Sequence, residues 1–141
     1  MTTILVPVDG SKNALRAVAY AIKQAKRARN EVHLLNVQPL LENYGTVPAY
    51  LSKQKHHALT TQHGKAILKP AAERLERAGV AHSIHVVHGD TAPTIARTAR
   101  RLKCDSIVMG TRGLGAVGNL LLGSVATKVI HLTKIPVTLV K

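Results

Sequence analysis

Apolar positions along the chain follow two alternating rhythms. Thr3-Ile-Leu-Val-Pro-Val8 is a continuous apolar run that stops at Asp9-Gly10-Ser11, which fits a strand buried on both faces of a parallel sheet. From Ser11 the period lengthens: Ala14, Leu15, Val18, Ala21, Ile22, Ala25 and Ala28 recur at threes and fours, with Lys12, Arg16, Lys23, Lys26 and Arg27 mostly between them. That is an amphipathic helix, with Ser11 as its cap. Val32 to Val37 reads as a second strand, ended by Pro39. An irregular connection is expected over residues 39–50. A weaker helical pattern follows through Leu51, Leu59, Ile67, Leu68, Ala72, Leu75 and Ala78, with Gly64 and Pro70 expected to bend or divide it. Val80 to Val87 is a third strand, closed by Gly89-Asp90-Thr91. A short helix through Ile95, Ala96, Ala99 and Leu102 precedes a fourth strand, Ser106 to Met109. After the turn-rich stretch Gly110 to Gly123, a helix through Val125, Val129 and Leu132 leads to a fifth strand, Pro136 to Val140.

Strands alternating with helices imply crossover connections and a sheet covered on both faces. The expected fold is α/β: a doubly wound, Rossmann-like, five-stranded parallel sheet, in one domain spanning residues 1–141. Ligands of such folds bind beyond the carboxyl ends of strands, where the winding reverses. Asp9-Gly10-Ser11 and Gly110 to Ser124 follow the first and fourth strands, so they share one crevice if those strands are neighbours.

Aromatic residues are 2% of the chain, Tyr20, Tyr44 and Tyr50 alone, which argues against a row of base-stacking platforms. Twenty Lys and Arg against seven Asp and Glu leave a net charge of +13, suited to anionic partners. The single Cys104 cannot form an internal disulfide, and Met1-Thr2-Thr3 opens no cationic segment followed by an apolar one. No run approaches the ~18 apolar residues that span a bilayer. These features point to a soluble cytoplasmic protein with no membrane span.

The glycine-rich stretch admits three readings. Gly113-Leu-Gly115-Ala-Val-Gly118 satisfies a dinucleotide fingerprint, but that site needs an acidic residue ~20 positions on, and the chain has no Asp or Glu after Asp105. Gly118-Asn-Leu-Leu-Leu-Gly123-Ser124 imitates a phosphate-binding P-loop, yet Ser124 stands where the lysine that reaches the phosphates belongs, and Lys128 is a helical turn too far. Gly110-Thr-Arg-Gly113, followed after nine residues by Gly123-Ser124, fits better. Glycines 110 and 113 let backbone approach a sugar and phosphate, Gly123-Ser124 opens a helix with unpaired amides, and Arg112 adds charge. The alternative is that these glycines serve only a tight loop and a helix start.

On these residues the chain resembles the nucleotide-binding branch of the universal stress protein family. The resemblance covers Ile-Leu-Val-Pro-Val-Asp9-Gly10-Ser11, the strand ending at Val37, the Gly89-Asp90 turn, and Met109-Gly110-Thr-Arg-Gly113-Leu-Gly115 through Gly123-Ser124-Val125. It implies ATP or AMP binding, five parallel strands and homodimers. Position by position, it implies Asp9 near the nucleoside, the Val37 backbone on the adenine edge, Met109, Gly110 and Gly113 along the ribose and α-phosphate, and Gly123, Ser124 and Val125 around the phosphates. Pro7, Val8, Arg112 and Ala126 complete the implied site. No protein-built metal site is expected; Mg2+ would arrive on nucleotide phosphates. The charge of +13 departs from the family and leaves room for a second anionic partner.

Other residues have plainer readings. His82, His85 and His88 sit three apart, but on a strand alternation sends His85 to the opposite face, against a metal site. His56, His57 and His63 are expected to be solvated, Cys104 to be a structural thiol, and Arg97, Arg100, Arg101 and Lys103 to form a solvated charged face. With acids at strand ends only at Asp9 and Asp90, phosphoanhydride hydrolysis has little support. The expected function is an adenine-nucleotide-binding stress-response regulator with little or no turnover and an unidentified protein partner. The alternative is a basic nucleic-acid or membrane-surface binding module of the same fold. Pro136 to Val140, an apolar edge strand, is expected to pair with its copy in a homodimer.

Overall fold

A computed structural model describes residues 1–40, 52–113 and 121–141. The expected connection over 41–50, Leu51, Gly115 and Gly118 lie outside the described residues. Five strands, β1 (Thr3–Pro7), β2 (Glu31–Gln38), β3 (His82–His88), β4 (Ser106–Gly110) and β5 (Val137–Val140), form one sheet in the order β3-β2-β1-β4-β5. Every neighbouring pair is parallel. The expected doubly wound fold is therefore present, and β1 and β4 are neighbours, so the winding reverses between them. Boundaries shift by one or two residues: β3 starts at His82 and β5 at Val137, because Val80 and Pro136 still belong to the turns that lead in.

Helices α1 (Lys12–Ala28) and α2 (Lys53–Arg77) cover one face of the sheet, packing Ala14, Val18, Ala21, Leu68, Ala71 and Leu75 on Ile4, Val6, Val32 and Leu34. Helices α3 (Thr91–Arg101) and α4 (Ser124–Leu132) cover the other with Ile95, Ala99, Ala126 and Val129 on Leu5, Leu35, Ile107 and Met109. Alternate residues of β1 thus serve opposite faces, as the unbroken apolar run required. Ser11 caps α1 as expected, its hydroxyl accepting from the Ala14 N–H at 3.0 Å.

Of the bend or division expected at Gly64 and Pro70, the division does not occur: α2 is a single helix through both. An interior proline costs about 3 kcal/mol, but fully burying a leucine yields about 1.5 to 3 kcal/mol. Leu68 and Leu75 are both fully buried on either side of Pro70, and the sheet holds the helix together. Gly64 has a different task. A Cβ there would lie 2.6 Å from Val86 Cγ1 and 2.9 Å from Asn36 Oδ1, so the missing side chain is what lets α2 approach the sheet.

Candidate functional site

Where β1 gives way to α1 and β4 to the loop before α4, a cavity of about 400 Å3 opens beyond the carboxyl ends of the strands. All twelve residues singled out from the sequence line it: Pro7, Val8, Asp9, Val37, Met109, Gly110, Arg112, Gly113, Gly123, Ser124, Val125 and Ala126. Sequence reasoning missed Ala14, Leu35, Asn36, Thr91, Ile95 and Thr111. Of these only Asn36, a polar residue inside an apolar strand, carried a signal that could have been read.

The cavity lining combines two kinds of group. Val8, Val37, Ile95 and Met109 make an apolar slot. The last register pair between β1 and β2 is Pro7 with Leu35, and the Leu35 carbonyl accepts from the Val8 N–H at 2.7 Å. Alternation turns the main-chain groups of Val37 to that same edge, past the end of β1 and into the slot. The same lining includes the N-terminus of α4, whose N-cap residue Gly123 offers no side-chain cap. The amides of Ser124, Val125 and Ala126 therefore need acceptors from outside the helix, and the positive end of the helix dipole faces the cavity with Arg112 close by.

Asp9 lines the cavity beside Gly113. Its Oδ1 accepts from the Ser11 N–H at 2.9 Å. Behind it the buried Asn36 donates from Nδ2 to the Val8 carbonyl at 2.9 Å and accepts at Oδ1 from Gln38 Nε2 at 2.7 Å. This pair fixes the end of β1 to β2 and holds the turn that presents Asp9. Asn13 does the same for the loop after β4, accepting from the Arg112 N–H at 3.0 Å.

The three motif glycines meet the chain itself. A Cβ on Gly110 would strike Asn13 Oδ1, and one on Gly113 would lie 2.5 Å from Asp9 Oδ2. At Gly123 it would lie 3.2 Å from the Thr111 carbonyl oxygen and 3.3 Å from Arg112 Cα, where the Gly123 N–H donates to that same carbonyl at 2.5 Å. Gly123 is thus needed to close the loop, whereas Gly113 faces a side chain at the cavity wall.

The remaining titratable residues lie elsewhere. As alternation required, His85 faces the α3 side, with His33 Nδ1 2.9 Å from its Nε2, while His88 stacks on His57 on the α2 side with ring centroids 4.0 Å apart. Burial first, then neighbouring histidines, lowers the pKa of both His85 and His88. The reading of His56 as solvated is corrected: it is buried, because the first turns of α2 lie against the end of β3. His57 and His63 remain exposed. Cys104 is buried and its thiol is pushed up to about 11, by burial first and then by Asp105, so it is a structural thiol. Arg97, Arg100, Arg101 and Lys103 are exposed as expected. Among the described residues no group of three or more His, Cys, Asp or Glu side chains could hold a metal ion, and no helix is long and apolar enough to cross a membrane.

The model of the universal stress protein family matches residues 1–141. The chain belongs to the universal stress protein family. A universal stress protein of Thermus aquaticus is 38% identical over 140 residues, covering 99% of this chain and 98% of the relative. One from Methanocaldococcus jannaschii is 36% identical, covering 98% of this chain and 81% of the relative. Among solved structures, that of the protein called MJ0577 superposes with a TM-score of 0.85 at 26% identity, over 99% of this chain and 95% of that one. A universal stress protein solved in complex with cAMP gives 0.70 at 27% identity, over 99% and 96%. The family's fold is shared as well by a protein from Arabidopsis thaliana with AMP bound, at a TM-score of 0.70 and 20% identity over 100% and 92% of the chains. It is shared again by one from Archaeoglobus fulgidus in complex with dAMP, at 0.72 and 21% over 100% and 98%.

Proposed function

We propose that the cavity binds an adenine nucleotide, AMP or ATP, and that the protein acts as a nucleotide-dependent stress-response regulator with little turnover. The observation that carries this reading is the composition of the cavity lining, which joins apolar side chains from three strands and α3 to the N-terminus of α4 and Arg112. Adenine would lie between Val8, Val37 and Met109 with its edge on the Val37 main chain. Phosphate oxygens would accept from the amides of Ser124 and Val125, with Arg112 adding charge. The family members solved with cAMP, dAMP and AMP support the ligand class.

Asp9 is the one carboxylate among the lining residues, so the protein builds no cation cage of its own and Mg2+ would be carried by the phosphates with Asp9 as its nearest protein ligand. A lone carboxylate already engaged by the Ser11 N–H is poorly suited to orient an attacking water, which favours holding the nucleotide over hydrolysing it. We further propose a homodimer. β5 is an edge strand whose inner side pairs with β4, and its residues Val137 to Val140 are half-buried in the single chain; a copy related by a two-fold axis would cover the outer side.

Calorimetric titration with AMP and ATP tests the reading. Binding in the low micromolar range or tighter is expected, and Gly113→Val should abolish it while leaving the circular dichroism spectrum unchanged. No heat with either nucleotide, together with no nucleotide released on denaturation, would overturn it.

A further inference from the structure

The charge of the chain is concentrated in a way the nucleotide cavity does not use. Helix α1 carries Lys12, Arg16, Lys23, Lys26 and Arg27 and no acidic residue at all. At about 100° per residue these five fall within an arc of about 100°, and over fifteen steps of ~1.5 Å they form a straight stripe ~22 Å long. All five are exposed, and none is ion-paired among the described residues, where the one ion pair is His33 with Glu31. Like charges at i, i+4 and i, i+3 destabilise a helix slightly, whereas Lys26 and Arg27 in the last turn complement the helix dipole, so helix stability alone accounts for only part of the stripe. Near its start, Lys12 and Arg16 share a groove with Arg74 of α2, a recess of about 220 Å3 whose remaining walls are Leu15 and Ala19.

We propose that the α1 stripe binds the phosphate backbone of duplex nucleic acid without regard to base sequence. Lys12, Arg16, Lys23 and Lys26 are spaced along the helix by ~4.5 to 10 Å, with Arg27 next to Lys26 and turned ~100° from it about the axis, which lets the long side chains take separate phosphates on a rigid backbone, and the groove with Arg74 seats one of them. Single-strand binding depends on aromatic stacking platforms; the stripe has only Tyr20, at its margin. An anionic membrane is disfavoured by the same face: Ala14, Ala17, Val18, Ala21 and Ala25 are buried in the core, Leu15 and Ile22 are partly buried against it, and the exposed apolar residues of α1 besides Tyr20 are alanines, which leaves no fully exposed large aliphatic side chain to enter a bilayer.

The test is fluorescence anisotropy of the full chain with a labelled mixed-sequence duplex between 50 and 200 mM salt, conditions chosen to resolve counterion release. With five phosphate contacts at about −0.9 each, the log–log salt slope should be about −4 to −5. The variant Lys12→Gln, Arg16→Gln, Lys23→Gln, Lys26→Gln should bind at least tenfold more weakly with a slope near −1. The variant Arg97→Gln, Arg100→Gln, Arg101→Gln, Lys103→Gln removes the same charge from α3 and should keep the affinity within about threefold. Gly113→Val should keep duplex binding too, which separates this proposal from the nucleotide reading. Equal losses in the two quadruple variants, no duplex binding at 50 mM salt, or preferential binding to phosphatidylserine vesicles through the stripe would each overturn it.

Discussion

Asn36 shows how much of the site rests on one polar side chain in an apolar strand. It ties the Val8 carbonyl, Gln38 and the Gly64 contact of α2 into one buried knot behind Asp9. Two substitutions probe this scale. Gly64→Ala should gain about 1 kcal/mol of helix propensity but lose about 1 to 3 kcal/mol by overpacking against Val86 and Asn36. A net destabilisation of about 1 kcal/mol is expected in urea unfolding; a stabilised variant would show that α2 can move away from the sheet at no cost. Asp9→Ala removes the carboxylate from the cavity lining and should weaken AMP binding by about 1 to 3 kcal/mol, the scale of a hydrogen bond to a charged group. Unchanged affinity by calorimetry would place Asp9 outside the nucleotide contacts.

At the scale of elements, β1 and β4 were legible because a doubly covered parallel strand is apolar throughout, as Ile4 to Val6 and Ile107 to Met109 are, and β2 because Val32, Leu34, Leu35 and Val37 keep it mostly so. That Asp9 shares one crevice with Gly110, Gly113 and Gly123 was legible because the stretches after β1 and β4 meet once those strands are neighbours, whereas Val37, on β2, and the position-by-position roles came from the family resemblance. The course of α2 was not legible. Gly64 and Pro70 read locally as a bend or a division, and only the sheet beneath, at Asn36 and Val86, turns Gly64 into a contact, while Leu68 and Leu75 packed on the sheet keep the helix undivided at Pro70. His56 was misread in the same way, since nothing in its own segment announces that the start of α2 is packed on β3.

The edge strand β3 also carries a pH dependence. His85 sits against His33 and Arg101, and His88 against His57 and His56, and burial is the largest cause of the lowered pKa in both. Folding therefore penalises their protonated forms, and below the ordinary value of 6.5 the unfolded chain takes up more protons than the folded one. Stability from this source is complete above pH 6.5 and is lost as the pH falls through and below it. The melting temperature should drop between pH 7.5 and 5.5, and the double variant His85→Asn, His88→Gln should flatten the profile. An equal slope in the variant would assign the effect to other groups.

At the scale of the whole molecule, the sheet has two unlike edges. β3 displays histidines, whereas β5 presents Val137-Thr-Leu-Val140. Pairing through β5 should give about twice 15.1 kDa by light scattering across a dilution series. Val137→Pro, which removes a main-chain donor, should shift the population toward monomer. A monomer mass for the unchanged chain at high concentration contradicts the dimer. The two anionic ligands inferred for the molecule occupy different places, the cavity beyond the strands and the outer surface of α1.

That separation makes one experiment decisive for the nucleotide reading: titrating the 15N-labelled protein with AMP while following its amide resonances. The account predicts saturable shifts concentrated on Val8, Asp9, Val37, Gly110, Gly113, Ser124 and Val125. Shifts confined to the lysines and arginines of α1, or none anywhere at millimolar AMP, would contradict it.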